Sequence, residues 1–300
     1  MAQIVKEIVE VSSEIDYWFF RTDGGNYFET FLDHDFIAIG WNNITLADIR
    51  DKTILEVKSK IERVEVMPEE SRSIKHKVSD IYNKVSRFDQ FKKGDIIVIP
   101  SVNSQLLAFG EIIDEKAYQA KSGVNGCQYE KRRLVKWLTP GIPLKDLDPT
   151  FDKMRRGWHT VINVNAFDYY IDSVIHSVYI KDGNSHFVLK VQQRDDINLK
   201  DLAEVLLGLQ NLMDVVNQEF QLGENISEST IKIYLQSPGL FNIKNSGLAL
   251  LLTAMVLGSS SCSTTDQSAD TQRKVEKIKT VNANDIDSLS DKMQKMRIQF

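Results

Sequence analysis

Two apolar segments near the amino terminus form the clearest hydrophobic pattern of the chain. Residues 15–21 and 35–41 are rich in aromatic and β-branched side chains, and a glycine pair at 24–25 and a short amphipathic segment separate them. This composition predicts two strands joined by a turn and a helical turn.

The rest of the first 183 residues combines the two-residue hydrophobic period of strands with the 3.6-residue period of helices. This mixture is typical of an α+β fold. The predicted elements are a helix from Thr45 or Asn43 to about Val66, a helix over 74–91, a hairpin of 95–100 and 106–113, a strand over 129–138, a strand over 160–164 and a helix from Ala166 to about Tyr179.

A turn of Asp182-Gly183-Asn184-Ser185 is the best candidate for a domain boundary. After it, the sequence predicts a strand over 186–193, a helix over 199–220 and a strand over 230–236, a small βαβ-type unit. An apolar stretch follows at 248–257, and the Ser/Thr-rich chain from Ser259 predicts a weakly ordered tail with a helix around 284–296. We therefore expect domains at 1–183, 184–245 and 246–300.

Composition restricts the function classes. The net charge of −5 gives no bulk attraction to polyanions, so any contact with nucleic acid must come from a local patch. Two cysteines far apart support neither a disulfide framework nor a zinc site. The first residues lack the apolar core of a signal peptide, so we expect a cytoplasmic protein.

The most informative chemistry lies at the first predicted turn. Trp18 precedes Arg21, Gly24 and Gly25, and Trp41 ends the second strand. Indole rings stack on bases, and an arginine with flexible glycine backbone can hold an oxyanion. The alternative is that the tryptophans are core residues and the turn is ordinary.

Several motifs in a fixed order resemble a known family. They are Trp18…Arg21-x-x-Gly24-Gly25…Ile37-Ala38-Ile39-Gly40-Trp41, then Lys92-Lys93-Gly94-Asp95-Ile96, Phe109-Gly110-Glu111-Ile112, Arg132-x-Leu134-Val135-x-Trp137 and Trp158-His159-Thr160-Val161. Over about 14–172 this order resembles the N-terminal domain found ahead of the nuclease in Mrr-type restriction endonucleases.

That domain is similar to the PUA-like superfamily, which includes EVE, ASCH, YTH and SRA-type domains. The resemblance implies a small β-barrel flanked by helices, followed here by the βαβ-type unit and a helical tail. It also implies recognition of a flipped or modified base, not catalysis. The residues expected to bind the base or ligand are Trp18, Arg21, Gly24, Gly25, Trp41, Trp158 and His159.

Basic residues cluster along the predicted helix at 74–91 and the strand at 129–138. If they converge, they form a track for phosphates; otherwise they are solvated faces. The predicted phosphate contacts are Lys84, Arg87, Lys131, Arg132, Arg133, Arg155 and Arg156.

The nuclease of Mrr-type enzymes carries an Asp and a Glu-x-Lys on adjacent strands, and this pattern is missing from 184–300. The strand at 186–193 offers Gln192-Gln193, and Glu276-Lys277 lies in the predicted tail. Without clustered carboxylates we expect no catalytic residues, metal or other cofactor.

Three functions remain open from the sequence. The first is a reader of nucleic acid, DNA rather than RNA, in a restriction or phage-defence context. The second is a sensor of a small nucleotide whose C-terminal half is the effector. The third, least favoured, is a metal-dependent nuclease. The apolar stretch within 246–258 predicts a buried helix or a homo-oligomer contact, with peripheral membrane contact as the alternative.

Overall fold

The computed structural model describes residues 9–65, 74–155, 157, 159–191, 197–233, 239–258 and 269–299. The strands are β1 (Val9–Glu10), β2 (Tyr17–Phe20), β3 (Phe36–Ile39), β4 (Ile96–Pro100), β5 (Leu106–Ile112), β6 (Tyr118–Gln119), β7 (Lys131–Trp137), β8 (Ile142–Pro143), β9 (Val161–Asn163), β10 (Val178–Lys181), β11 (Asn184–Val191), β12 (Thr230–Ile233), β13 (Gly239–Asn245) and β14 (Ile298–Gln299).

The helices are α1 (Phe28–Asp33), α2 (Leu46–Asp51), α3 (Ile54–Glu65), α4 (Ile74–Asp89), α5 (Thr150–Met154), α6 (Asp168–Ile175), α7 (Leu199–Phe220), α8 (Ala249–Val256), α9 (Ala269–Val281) and α10 (Ala283–Lys295). The chain divides into two compact units. We call residues 15–168 the barrel unit, and residues 1–14 with 169–300 the C-terminal unit.

The barrel unit is built on a curled sheet with the strand order β3-β7-β5-β4-β2-β9. Strand β2 runs parallel to β4, and the remaining neighbours along this path are antiparallel. The predicted hairpin of β4 and β5 and the two predicted early strands are confirmed. The fold is therefore mixed α and β, with a half-barrel sheet whose core is rich in phenylalanine.

One predicted helix is two helices in the structure. Thr45 caps α2 with a complete capping box, as the sequence indicated. The chain then leaves the helix at Lys52, and α3 begins after Thr53, whose backbone N–H donates to Glu56 Oε2 over 2.9 Å. The Thr-x-x-Glu spacing is a second capping box, so the sequence itself indicates that a new helix begins here.

The C-terminal unit contains the sheet order β1-β10-β11-β13-β12. Its β10, β11, β13 and β12 pair antiparallel, whereas the predicted βαβ-type unit requires parallel strands. The turn at 182–183 joins β10 to β11, so the proposed domain boundary lies within one hairpin. Strand β10 also replaces the end of a helix that was expected to continue to about Tyr179.

Helices cover the β11 side chains Phe187, Leu189 and Val191 in the core of the C-terminal unit. All eight residues of α8 are buried, which confirms the prediction of a buried helix at the apolar stretch. The chain from Ser259 was expected to form a weakly ordered tail with a helix around 284–296. Helix α10 confirms that helix, whereas α9 was not predicted, and the two helices place Val275, Ile278 and Leu289 in this core.

Candidate functional site

Helix α4 brings two predicted cations next to two predicted indoles. Its apolar face is buried in the barrel unit, while Asp80, Lys84 and Arg87 follow one another at the four- and three-residue spacing of a second face. Lys84 Nζ lies 5.6 Å from the ring centroid of Trp41, and Arg87 Cζ lies 5.8 Å from that of Trp18. We call Trp18, Trp41, Lys84, Arg87 and His159 the α4 site.

Trp18 is held in position by a buried carboxylate. The indole Nε1 donates to Asp95 Oδ2 over 2.9 Å, and its ring lies 5.1 Å from that of Phe91. Asp95 also accepts from the backbone N–H groups of Asp16 and Lys92. The Gly-Asp motif before β4 therefore fixes the orientation of the half-buried indole.

Trp41 has an unusual backbone conformation. Its φ of 57° lies in the left-handed region, which a bulky residue rarely adopts. Its carbonyl oxygen accepts a 2.8 Å hydrogen bond from Nζ of Lys131, which is fully buried. Burial lowers the pKa of Lys131 to about 8, although the carboxylates of Glu130 and Glu65 oppose this shift.

A carboxylate joins the cationic and imidazole parts of the α4 site. Lys84 Nζ donates to Asp80 Oδ2 over 2.5 Å, and Asp80 Oδ1 lies 3.5 Å from His159 Nδ1. The side chain of His159 is 71% exposed, whereas that of Lys84 is 16% exposed. An anion that approached Lys84 would therefore compete with Asp80 for the ammonium group.

Arg21 contacts backbone oxygens instead of an open cleft. Its Nη2 donates to the carbonyl of Arg155 over 2.8 Å, and both Nε and Nη2 donate to the carbonyl of Gly157. Burial lowers the pKa of this guanidinium. These nitrogens were expected to bind an anionic ligand. In the structure they instead connect the end of β2 to the segment before β9 by hydrogen bonds.

The glycine turn after Arg21 is shaped by packing. A Cβ on Gly25, whose φ is +104°, would lie 2.2 Å from the backbone nitrogen of Val102. Gly24, at φ +67°, has open space around its Cβ position. Gly25 therefore permits close contact with the hairpin of β4 and β5, which explains this glycine without any ligand.

Strand β7 does not expose the predicted phosphate track. Lys131, Arg132 and Arg133 are all buried. Arg132 lies over the ring of Phe36, 4.3 Å from its centroid, and donates to carbonyls of the 124–129 segment. Arg133 pairs with Asp114 at 2.7 Å. These cations are internal because residues that precede β7 in the chain supply acceptors for their N–H groups.

A family model matches part of the chain. Residues 20–164 match a domain of unknown function, DUF8426. This range lies inside the barrel unit and includes Trp41, Lys84, Arg87 and His159, while Trp18 precedes it. Neither the comparison with curated proteins nor that with solved structures gives a match.

The structure thus brings five predicted residues together and separates others from them. Trp18, Trp41, Lys84, Arg87 and His159 share the α4 site. Half-buried Arg155 pairs with Asp152 at 2.7 Å and gives its carbonyl to Arg21. Trp158 and Arg156 lie outside the described residues.

Sequence reasoning missed the two carboxylates that organise the site. Asp80 lies four residues before Lys84, the spacing of a helical ion pair, so this signal was present. Asp95 stood in the Gly-Asp motif, but its partner Trp18 is 77 residues away.

The described residues were also searched for a metal-binding cluster and for a membrane-spanning helix. Within them, no cluster of three or more His, Cys, Asp or Glu side chains is placed to hold a metal ion. Among the helices described, none has the length and apolar character needed to cross a bilayer.

Proposed function

We propose that the barrel unit binds nucleic acid at the α4 site and holds one base against the indole of Trp41 or Trp18. The observation that carries this proposal is the pairing of each indole with a cation from a single stretch of α4. Such a surface offers a flat π-face for a base and positive charge for its phosphate. Stacking on an aromatic ring contributes about 1–3 kcal/mol per base.

The family resemblance supports the same function. A PUA-like assignment for the barrel unit is part of this proposal, since a half-barrel sheet with flanking helices is compatible with it. Extracting a base from a duplex costs a few kcal/mol, which stacking and phosphate contacts offset. We therefore favour a substrate that is unpaired, mismatched or modified, in DNA rather than RNA and in a restriction or phage-defence context.

The cations of the α4 site provide the test. Arg87, which is exposed, and Lys84, which lies over the Trp41 ring, can both be replaced by glutamine. The exposed residues Lys75 and Lys116 form a matched control pair. Lys75 lies nine residues before Lys84 and thus about half a turn around α4. Binding of labelled oligonucleotides, with and without methylated bases, is measured by fluorescence anisotropy over a range of salt.

We expect Lys84→Gln with Arg87→Gln to weaken binding at least tenfold and to reduce the salt slope by about two. The control pair should leave both quantities close to those of the wild type. If both double variants lost the same affinity, the attraction would be non-specific. If Lys84→Gln with Arg87→Gln bound as tightly as the wild type, the α4 site would be rejected.

A free nucleotide is the second candidate ligand, and the burial of the β7 cations favours it. Without a track along β7, the cations beside the indoles suit one or two phosphates better than a long backbone. A mononucleotide should then raise the melting temperature of the wild type but not of the Lys84→Gln, Arg87→Gln variant. If no nucleotide in a panel stabilises the wild type, this candidate is rejected.

A further inference from the structure

A second cleft in the barrel unit has the opposite charge and lies beside α1. It has a volume of about 500 Å³ and is bounded by α1, the start of β5 and the segment that follows β7. Its apolar surface comes from Phe28, Leu32, Leu106, Trp137 and Leu138. The proposed nucleic-acid function uses none of these residues.

The apolar floor follows from local packing. Phe28 and Phe31 are buried, which fixes α1 on the sheet. Trp137 Nε1 donates to the carbonyl of Phe31 over 2.9 Å, so the half-buried indole is held beside the cleft. A Cβ at Gly141 would lie 3.1 Å from side-chain atoms of both Leu106 and Phe28, and the glycine leaves this part of the floor uncrowded.

The rim of the cleft is acidic. Glu29 and Asp33 lie four residues apart on α1, and Asp35 follows the helix; all three are exposed. No Lys, Arg or His is among the described residues that line the cleft. Three carboxylates around one apolar cleft repel one another, so a bound cation would be favoured over a neutral or anionic group.

We propose that this cleft binds an extended segment of a partner protein in which an apolar side chain is flanked by lysine or arginine. The apolar side chain contacts Leu32, Leu138 and the Trp137 ring. The flanking cations pair with the carboxylates on α1 and with Asp35. The spread of the carboxylates over a helical turn and the residue beyond it suits several cations along one chain better than a single small amine.

The test uses fluorescein-labelled peptides and the full chain. One peptide alternates leucine with lysine, a second replaces leucine with serine, and a third replaces lysine with glutamate. The charge-removing variant is Glu29→Gln, Asp33→Asn and Asp35→Asn, in which asparagine tolerates the φ of 53° at position 35. The matched control removes three exposed carboxylates elsewhere in the barrel unit, by Asp51→Asn, Glu62→Gln and Glu115→Gln.

We expect the leucine–lysine peptide alone to bind, and the cleft variant to weaken its binding at least tenfold while the control triple variant stays within twofold. A Leu138→Ser variant should also weaken it, which tests the apolar contact without changing charge. The proposal is overturned if the leucine–lysine peptide does not bind the wild type or if both triple variants lose the same affinity for it. It is also overturned if the serine peptide binds as tightly as the leucine–lysine peptide. Full competition by free spermidine would also overturn it, in favour of a small-amine site.

Discussion

Lys131 Nζ donates to the carbonyl oxygen of Trp41 over 2.8 Å, from a position that solvent does not reach. This bond connects β7 to Trp41, two residues beyond the end of β3, and it is made to a backbone held at positive φ. A strained aromatic residue that is fixed by a buried ammonium group is the arrangement expected where a ring must keep one orientation.

The first prediction concerns the alkaline side of the stability profile. The pKa of Lys131 is lowered to about 8 in the folded chain, against about 10.4 for an unfolded lysine. Between these values the unfolded chain binds more protons, so the free energy of unfolding should rise with pH, by up to about 1.4 kcal/mol per pH unit. In Lys131→Met this rise should disappear.

Urea unfolding at pH 7.5, 8.5 and 9.5 measures this slope through tryptophan fluorescence. The four tryptophans of the chain, at 18, 41, 137 and 158, all belong to the barrel unit, so the signal reports on that unit. Lys75→Met on the exposed surface of α4 is the control and should keep the slope of the wild type. An identical rise in Lys131→Met would show that another group causes it. Burial raises the pKa of Tyr129 to about 12, and since an unfolded tyrosine titrates near 10, measurements stay below that pH.

The buried cations of β7 also show where sequence reasoning stops. Local pattern was sufficient for β2, β3, α4 and the hairpin of β4 and β5, because each has a clear hydrophobic period. It was not sufficient for Arg132 and Arg133, since charge alone suggests exposure. The burial of Arg133 depends on Asp114 and the carbonyl of Phe91, and that of Arg132 depends on carbonyls of the 124–129 segment.

The C-terminal unit illustrates a different limit. The tail helices α9 and α10 are polar overall, with buried side chains only at positions such as Val275 and Leu289. The sequence predicted α10 but not α9, because α9 gains its stability from packing on α7 and α8, which a pattern search along the chain does not see. Residues 239–245 combine a glycine and two asparagines, so their strand was hidden as well.

The glycine turn gives a prediction with an internal control. Gly25→Ala would place a Cβ 2.2 Å from the Val102 backbone at a φ of +104°, so backbone must move to accept it. We expect a loss of roughly 3 kcal/mol or more in the free energy of unfolding. Gly24→Ala meets no atom and should cost only about 1–2 kcal/mol for its positive φ. Urea unfolding that ranks the two variants equally would contradict the packing role of Gly25.

Asp95 should be essential for the position of Trp18. Its buried carboxylate accepts from the Trp18 indole and from two backbone N–H groups. Asp95→Ala leaves these donors without an acceptor, and we expect a loss of about 2–4 kcal/mol together with altered tryptophan emission. Asp51→Ala, at an exposed position, should change neither. If Asp95→Ala keeps both the stability and the emission spectrum of the wild type, Trp18 is held by its contact with Phe91 instead.

The C-terminal unit should lose stability in mild acid through His176. Burial, with smaller contributions from Lys181 and Lys190, lowers the pKa of His176 to about 4, whereas an unfolded histidine titrates near 6.5. Between these values the unfolded chain binds more protons, so the free energy of unfolding falls as the pH falls from 6.5 to 4. For this one group the loss is on the order of 3 kcal/mol. Far-UV circular dichroism reports on both units and tryptophan fluorescence only on the barrel unit, so unfolding of the C-terminal unit is measured as a change in the first signal without the second.

In His176→Gln the fall in the free energy of unfolding between pH 6.5 and 4 should be smaller by about 3 kcal/mol, because glutamine does not titrate. The exposed His34 is the matched control, and His34→Gln should retain the full acid dependence. Burial also lowers the pKa of His186, which lies flat against Tyr179 with a ring separation of 4.5 Å, so part of the dependence should persist in His176→Gln. An unchanged profile in this variant would assign the acid sensitivity of the C-terminal unit to His186 or to carboxylates.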